Sequence, residues 1–326
     1  MFRRVPSQGL SRHLQSRPNA LLLSLLPPIL SRCYLGLLGR LYFKLARPEE
    51  RAIRAALGRA AGEREGARLW RRVRAGIIDH YHEKLLLGFR SLDWVRRLHT
   101  QQVRVSGLAH LDEALALGRG AIFVTGHYGA VEFIPGSLAF RGYPVTIMVH
   151  CKTAALRARL EEKSAQVGVR LLDPKAGSAI FSAIKHLRQG RVLVTQCDEL
   201  EMWRPYKDRR IDFLGLNFGL DRSLDILARK SRAPVLFGLA HRLDGQQYQL
   251  AVEKLEEHPA ARGHELVSAK CLAVLSDYII ARPEAWYEWK KLESLGGDSL
   301  VRDGLDEDSQ RLSLPDPVAV YAAGPA

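Results

Sequence analysis

In GRGAIFVTGHYGAVEF, residues 118–133, an apolar run from Ala121 to Val124 passes through Thr125-Gly126-His127 and, after Gly129, enters a helical pattern that contains Glu132. A strand that turns on glycines into a helix is the building unit of an α/β fold. The same grammar extends in both directions. Short strand-like segments recur at Gln102–Val105, Ala121–Thr125, Val145–Val149, Val169–Leu172, Arg191–Thr195, Val235–Leu239 and Tyr248–Val252. Helical patterns separate several of them, at Ala154–Val167, Ser178–Arg188 and Leu220–Lys230, and another follows at Glu265–Ile280. Residues 49–99 read as helices whose apolar faces include Leu69, Val73, Ile77, Leu85 and Leu86. The fold class expected is α/β, a mixed and mostly parallel sheet covered by helices, with an N-terminal membrane-associated helical segment. In such a sheet, sites form at the loops leaving the strand ends.

His127 stands at one of those exits, and Glu132 follows about one helical turn later. The two side chains are expected to meet. Imidazole titrates near neutrality, and a carboxylate on one ring nitrogen fixes the tautomer that leaves the other free to take a proton. Gly126 and Gly129 are expected to keep the backbone slim for an approaching substrate. Such a dyad can deprotonate a hydroxyl, although the same spacing also suits a purely structural histidine. Neither H-E-x-x-H nor a carboxylate–histidine cluster is present, so no metal and no cofactor is expected. A serine-hydrolase elbow, G-x-S-x-G, is also missing.

The chain has 326 residues and a formal charge of +14, unevenly spread. Residues 1–48 hold eight Lys or Arg and no acid, whereas the segment after Lys291 holds seven acids against two arginines. Within the basic end, ALLLSLLPPILSRCYLGLLGRLYFKL (residues 20–45) is apolar but interrupted by Arg32, Arg40 and Lys44. It reads as a helix lying on an anionic membrane surface, with a core helix and a short span bent at Pro27-Pro28 as alternatives. Three regions result: a membrane-association segment at 1–48, an α/β domain with N-terminal helices at 49–292, and a mobile acidic tail at 293–326. Nucleic acid is not an expected partner, because the basic residues are not interleaved with stacking aromatics. The four cysteines, Cys33, Cys151, Cys197 and Cys271, are scattered and form no C-x2-C pair.

Two further stretches carry candidate roles. In WRPYKDRR, residues 203–210, the cations Arg204, Lys207, Arg209 and Arg210 are expected to line an entrance and meet anionic groups; a solvated turn is the alternative. Phe213, Leu214, Leu216 and Phe218 form an apolar group that suits either the wall of a channel or ordinary core. Near the C-terminus, at least two of Trp286, Tyr287 and Trp289 are expected to pack the last segment on the core.

The chain resembles the late acyltransferases of lipid A biosynthesis, members of the wider lysophospholipid and glycerolipid acyltransferase superfamily. The resemblance covers about residues 20–291 and rests on four stretches in order: TGHYGAVEF (125–133), LRQGRVLVTQCDE (187–199), IDFLGLNFGLDRSLDILARKSRAPVLFGLAHR (211–242) and RPEAWYEWK (282–290). It implies transfer of a fatty acyl chain from acyl carrier protein or coenzyme A to a hydroxyl of a membrane lipid, favouring an acceptor like a lipid A precursor. It implies His127 as general base with Glu132 as its partner, Asp198 organising the pocket, and Arg159 or Arg157 handling phosphate or the thioester oxygen. With it, Arg204, Lys207, Arg209 and Arg210 are expected to meet anionic headgroups or the acidic carrier protein, and Phe213, Leu214, Leu216 and Phe218 to wall an acyl channel. Lipid A enzymes usually carry Phe-Gly-Asn-Trp where this chain has Tyr128-Gly129-Ala130-Val131. That difference keeps a lysophospholipid, glycerophosphate or amino-acid-lipid acceptor as the alternative, with a non-catalytic membrane-binding module behind it. Because the acyl donors are cytoplasmic, the expected location is the cytoplasmic face of a bacterial inner membrane.

Overall fold

A computed structural model describes residues 22–296, except residues 24, 151–153 and 200–203 and the side chains of 154–156, 159 and 293–296. The central sheet has seven strands: β1 (Val103–Ser106), β9 (Tyr248–Lys254), β8 (Val235–Arg242), β2 (Ala121–Thr125), β5 (Val192–Gln196), β3 (Val145–Met148) and β4 (Arg170–Leu172), in that spatial order. From β8 to β4 all neighbours are parallel; β9 runs antiparallel to β8, and β1 is parallel to β9. The expected α/β class with a mixed, mostly parallel and helix-covered sheet is what the chain forms. The central strand β2, AIFVT, is buried along its whole length, as a parallel strand covered on both faces must be.

The N-terminal third is helical: α1 (Pro28–Leu45), α2 (Arg47–Ala61), α3 (Glu63–Phe89) and α4 (Leu92–Gln101). Gly62, at φ 82°, breaks the chain between α2 and α3. The two helices then cross at glycines, for a Cβ on Gly66 would stand 2.8 Å from the Gly58 nitrogen. Ser91 caps α4 by accepting the Trp94 N–H at 3.3 Å. Between and after the strands lie α5 (Leu108–Ala116), α6 (Ile134–Ala139), α7 (Ala154–Gln166), α8 (Ala179–Arg188), α9 (Ser223–Ser231), α10 (Val267–Ala281) and α11 (Trp289–Gly296). Two hydrophobic clusters, one containing Ile122 and Val124 and the other Phe123, show the sheet packed on both faces.

Helix α1 corrects an expectation. Pro28 begins it rather than bending it, and Ser31, Leu35, Gly39 and Phe43 form a buried stripe. Ser31 Oγ lies 2.7 Å from His82 Nε2 and Arg32 pairs with Asp79, so α1 is tied to α3 by polar contacts as well as by packing. Leu30, Leu37, Leu41 and Leu45 lie on its exposed side. Among the described residues no helix is long and apolar enough to cross a membrane. The physical reason is legible: Arg32, Arg40 and Lys44 divide the apolar run before it reaches spanning length. This overturns a membrane-spanning N-terminal helix and, with it, an integral placement in a bacterial inner membrane. The stretch before residue 22 and the acidic tail beyond Gly296 lie outside the described residues; α11 itself continues past residue 293.

A second departure lies at 205–221. Where the sequence shows no strand-like segment, β6 (Pro205–Phe213) and β7 (Leu216–Asp221) form an antiparallel hairpin. Its two-residue turn, Leu214-Gly215, has both residues at positive φ, 55° and 77°, which matches the twist of a tight hairpin. Leucine is an unusual residue for that position, and this hid the hairpin in the sequence.

Candidate active site

β2 and β5 are parallel neighbours in register, Thr125 opposite Gln196, and the chain leaves both at the same edge of the sheet. Cys197 N–H donates to Thr125 O at 2.8 Å, carrying the pairing one step further. His127 and Asp198, each two residues past its strand, are thereby brought together. Asp198 Oδ1 lies 2.9 Å from His127 Nδ1, and the backbone N–H of His127 donates to the same carboxylate at 3.1 and 2.9 Å. Trp286 Nε1–H donates to Oδ2 at 2.7 Å. Asp198 has no exposure to solvent, and a buried carboxylate is tolerable only when donors surround it as they do here.

On the other side of the ring, Nε2 stands 3.3 Å from Glu199 Oε2. Glu199 Oε1 is 3.6 Å from Lys291 Nζ, which also lies 3.1 Å from Glu288 Oε2. Burial disfavours a charge on His127, but Asp198 and Glu199 outweigh it and lift the imidazole to about 10. Burial likewise opposes the charge on Glu199, yet His127 and Lys291 draw it down to about 2. His127 thus lies between two carboxylates that both favour its protonated form.

The turn around His127 is fixed by backbone contacts. Gly129 N–H donates to Ala285 O and Ala130 N–H to Ala240 O, both at 2.8 Å, while Tyr287 N–H reaches His127 O at 3.3 Å. Gly129 has φ 58°, and a Cβ there would fall 1.9 Å from Ala240 O. At Gly126 a Cβ would press on Leu275 at 2.6 Å. These glycines admit neighbouring chain and not, as expected, an approaching substrate. Arg242, at the end of β8, donates to Gly129 O at 2.7 Å and pairs with the buried Glu83 of α3 at 2.6 and 2.7 Å. The Gly129 N–H, spent on Ala285 O, has no hydrogen to offer an oxyanion.

Glu132 does not sit on His127. Val131–Phe133 form a 3₁₀ turn, Val131 and Phe133 point into the core, and Glu132 accepts from Lys84 of α3 at 2.9 Å. The proximity of the two residues in sequence gave the wrong carboxylate, because the short turn aims Glu132 at α3. Arg157 is engaged by Glu161 at 2.8 Å and Asp173 at 3.1 Å, and the side chain of Arg159 lies outside the described residues. Arg204, Lys207, Arg209 and Arg210 are all exposed along the hairpin, with Arg210 bonded to the backbone of Asn217 at 2.8 Å. Phe213, Leu214, Leu216 and Phe218 are buried in the core beside Trp286, whose ring meets Phe213 edge-on at 5.8 Å. Trp286 and Trp289 are both buried, the latter donating to Pro283 O at 2.9 Å. Cys151 and Trp203 fall outside the described residues.

Compared with families of known proteins, the chain matches the model of the bacterial lipid A biosynthesis acyltransferases over residues 20–291. The chain belongs to this family. A search of curated proteins gave no match. In this acyltransferase the roles of Trp286, Lys84 and the Glu83–Arg242 pair were missed from the sequence. Only the strand order β8-β2-β5 shows that the ends of three distant segments converge, and no local spacing encodes that order.

Proposed function

We propose that this acyltransferase moves a fatty acyl chain from an acyl thioester, on acyl carrier protein or coenzyme A, to a hydroxyl of a membrane lipid. An acceptor like a lipid A precursor is favoured. The observation that carries the reading is the buried His127–Asp198 pair at the ends of adjacent parallel strands, within a chain of this family. Asp198 fixes Nδ1 and directs Nε2 outward as the atom that takes the acceptor's proton. As the hydroxyl oxygen forms its bond to the thioester carbonyl, the proton passes to Nε2 and Asp198 steadies the imidazolium. The C–S bond then breaks and the thiolate leaves with the proton from Nε2. No acyl-enzyme is needed: Cys197 and Cys271 are buried, and burial pushes both thiols up, away from the reactive thiolate.

Arg204, Lys207, Arg209 and Arg210 are the proposed contact for acidic donor or headgroup, and Phe213, Leu214, Leu216 and Phe218 the proposed wall for the acyl chain. Glu132, held by Lys84, supports the rim of the site and not the imidazole. The test is to incubate purified protein with an acyl carrier protein thioester and a membrane lipid extract and to identify products by mass spectrometry. An acylated lipid with wild type and none with His127→Ala supports the reading. Release of free fatty acid alone, or an acyl adduct on a cysteine, overturns it. The same extract reports whether the acceptor is instead a lysophospholipid or an amino-acid lipid, the alternative that Ala130 and Val131 leave open.

A further inference from the structure

Both ring nitrogens of His127 are taken. Nδ1 is held by Asp198 at 2.9 Å and Nε2 by Glu199 at 3.3 Å. A base needs a free lone pair, so one of the two carboxylates must give way before a hydroxyl can be deprotonated. Their surroundings decide which. Asp198 is fully enclosed and accepts from the His127 ring, the His127 backbone and Trp286. Glu199 has about a third of its side chain exposed (33%), and its other oxygen already faces Lys291 at 3.6 Å. One carboxylate is fixed and the other has somewhere to go.

We propose that Glu199 is a positioning residue that keeps the acceptor's place on His127 Nε2 in the resting enzyme and withdraws to Lys291 when the acceptor hydroxyl arrives. The inference rests on the acyl-transfer reading above. When Glu199 withdraws, the imidazolium loses one of the two charges that hold its proton. The Nε2 proton passes to water, leaving Nδ1–H on Asp198 and a lone pair on Nε2 for the hydroxyl. After transfer, the proton taken from the hydroxyl leaves with the thiol, and Glu199 returns as His127 takes up a proton from solvent.

The other groups around the ring do not replace Glu199. Glu288 faces the ring from the C-terminal segment, and Lys291 balances Glu288 at 3.1 Å. Tyr287 meets the ring edge-on at 5.3 Å. From α3, His80 stacks on Tyr287 and is kept neutral by burial, with the nearby Lys84 and Arg242 adding to the effect.

The experiment measures kcat/KM for the lipid acceptor against pH with full-length protein, together with an NMR titration of the His127 ring in the absence of substrate, assigned with His127→Gln. Glu199→Gln is expected to move the low-pH limb and the His127 resonance to lower pH. A displacement of one unit raises kcat/KM about tenfold wherever the base is mostly protonated. Glu199→Ala, which also vacates the position, is expected to lower acceptor KM. Lys291→Met removes the berth and is expected to slow wild type, yet to have little further effect in Glu199→Gln. A merely structural Lys291 would slow both equally, and that result counts against the proposal. Transfer activity with neither limb nor resonance displaced overturns the role of Glu199 alone. A displaced resonance with no transfer by any protein upholds the contact and defeats the acyl-transfer reading.

Discussion

The 3₁₀ turn that carries Glu132 begins four residues after His127, whereas the loop that carries Asp198 is 71 positions away, and it is the distant acid that holds the imidazole. The near acid spans outward to Lys84 of α3 and remains partly exposed. Exposed ion pairs contribute little, about 0–1 kcal/mol, while a buried carboxylate with several donors cannot lose one cheaply. Position in the sheet, not separation along the chain, decides which carboxylate reaches the His127 ring.

The largest expected effect falls on the shared member of the comparison. His127→Ala should lower kcat by at least about two orders of magnitude, the usual scale of general-base catalysis, with an unchanged circular dichroism spectrum. A variant retaining a tenth of wild-type turnover would remove the base. Asp198→Asn should come next, with a loss of about 10²-fold in kcat, since the amide cannot stabilise the imidazolium and disturbs its tautomer. Loss of activity in Asp198→Asn no greater than in Glu132→Gln would reverse the comparison.

Between these extremes stands the turn itself. Gly129→Ala should lower stability by about 2–4 kcal/mol, because it combines an unfavourable φ with a Cβ driven into Ala240 O. Thermal melting checks this, and a variant as stable as wild type would show that the turn can open away from β8. Glu132→Gln should cost less than about tenfold in kcat, since it weakens only the Lys84 contact. The smallest effect is expected from reversing the charges of Lys207 and Arg209 together: a few-fold rise in donor or acceptor KM and a flatter salt dependence, with kcat preserved. An unaltered salt dependence would leave the hairpin cations as solvated surface.

The strands and most helices were legible because their signals are local. Ala121–Thr125 coincides with the observed β2, and the α7 and α8 patterns agree with the helices to within a residue. His127 was equally legible as the residue of interest, from its place after a strand and between glycines. The hairpin was missed where Leu214 takes a conformation usually left to glycine or asparagine. The N-terminal helix was visible as amphipathic, but its partner was not: sequence periodicity gives a face and cannot say whether α3 or something outside the chain covers it.

By itself, then, the sequence determined the strand–helix alternation, the place of His127 after a strand and the interruption of the apolar N-terminal run by three cations. Those properties depend on residues within one or two turns of each other. Only the tertiary structure decided that Asp198 and not Glu132 meets Nδ1, that Trp286 supports that acid, and that Glu199 covers Nε2. Each of these contacts exists because β2, β5 and β8 lie side by side with their carboxyl ends together, and the order of strands in a sheet is settled by packing across the whole chain.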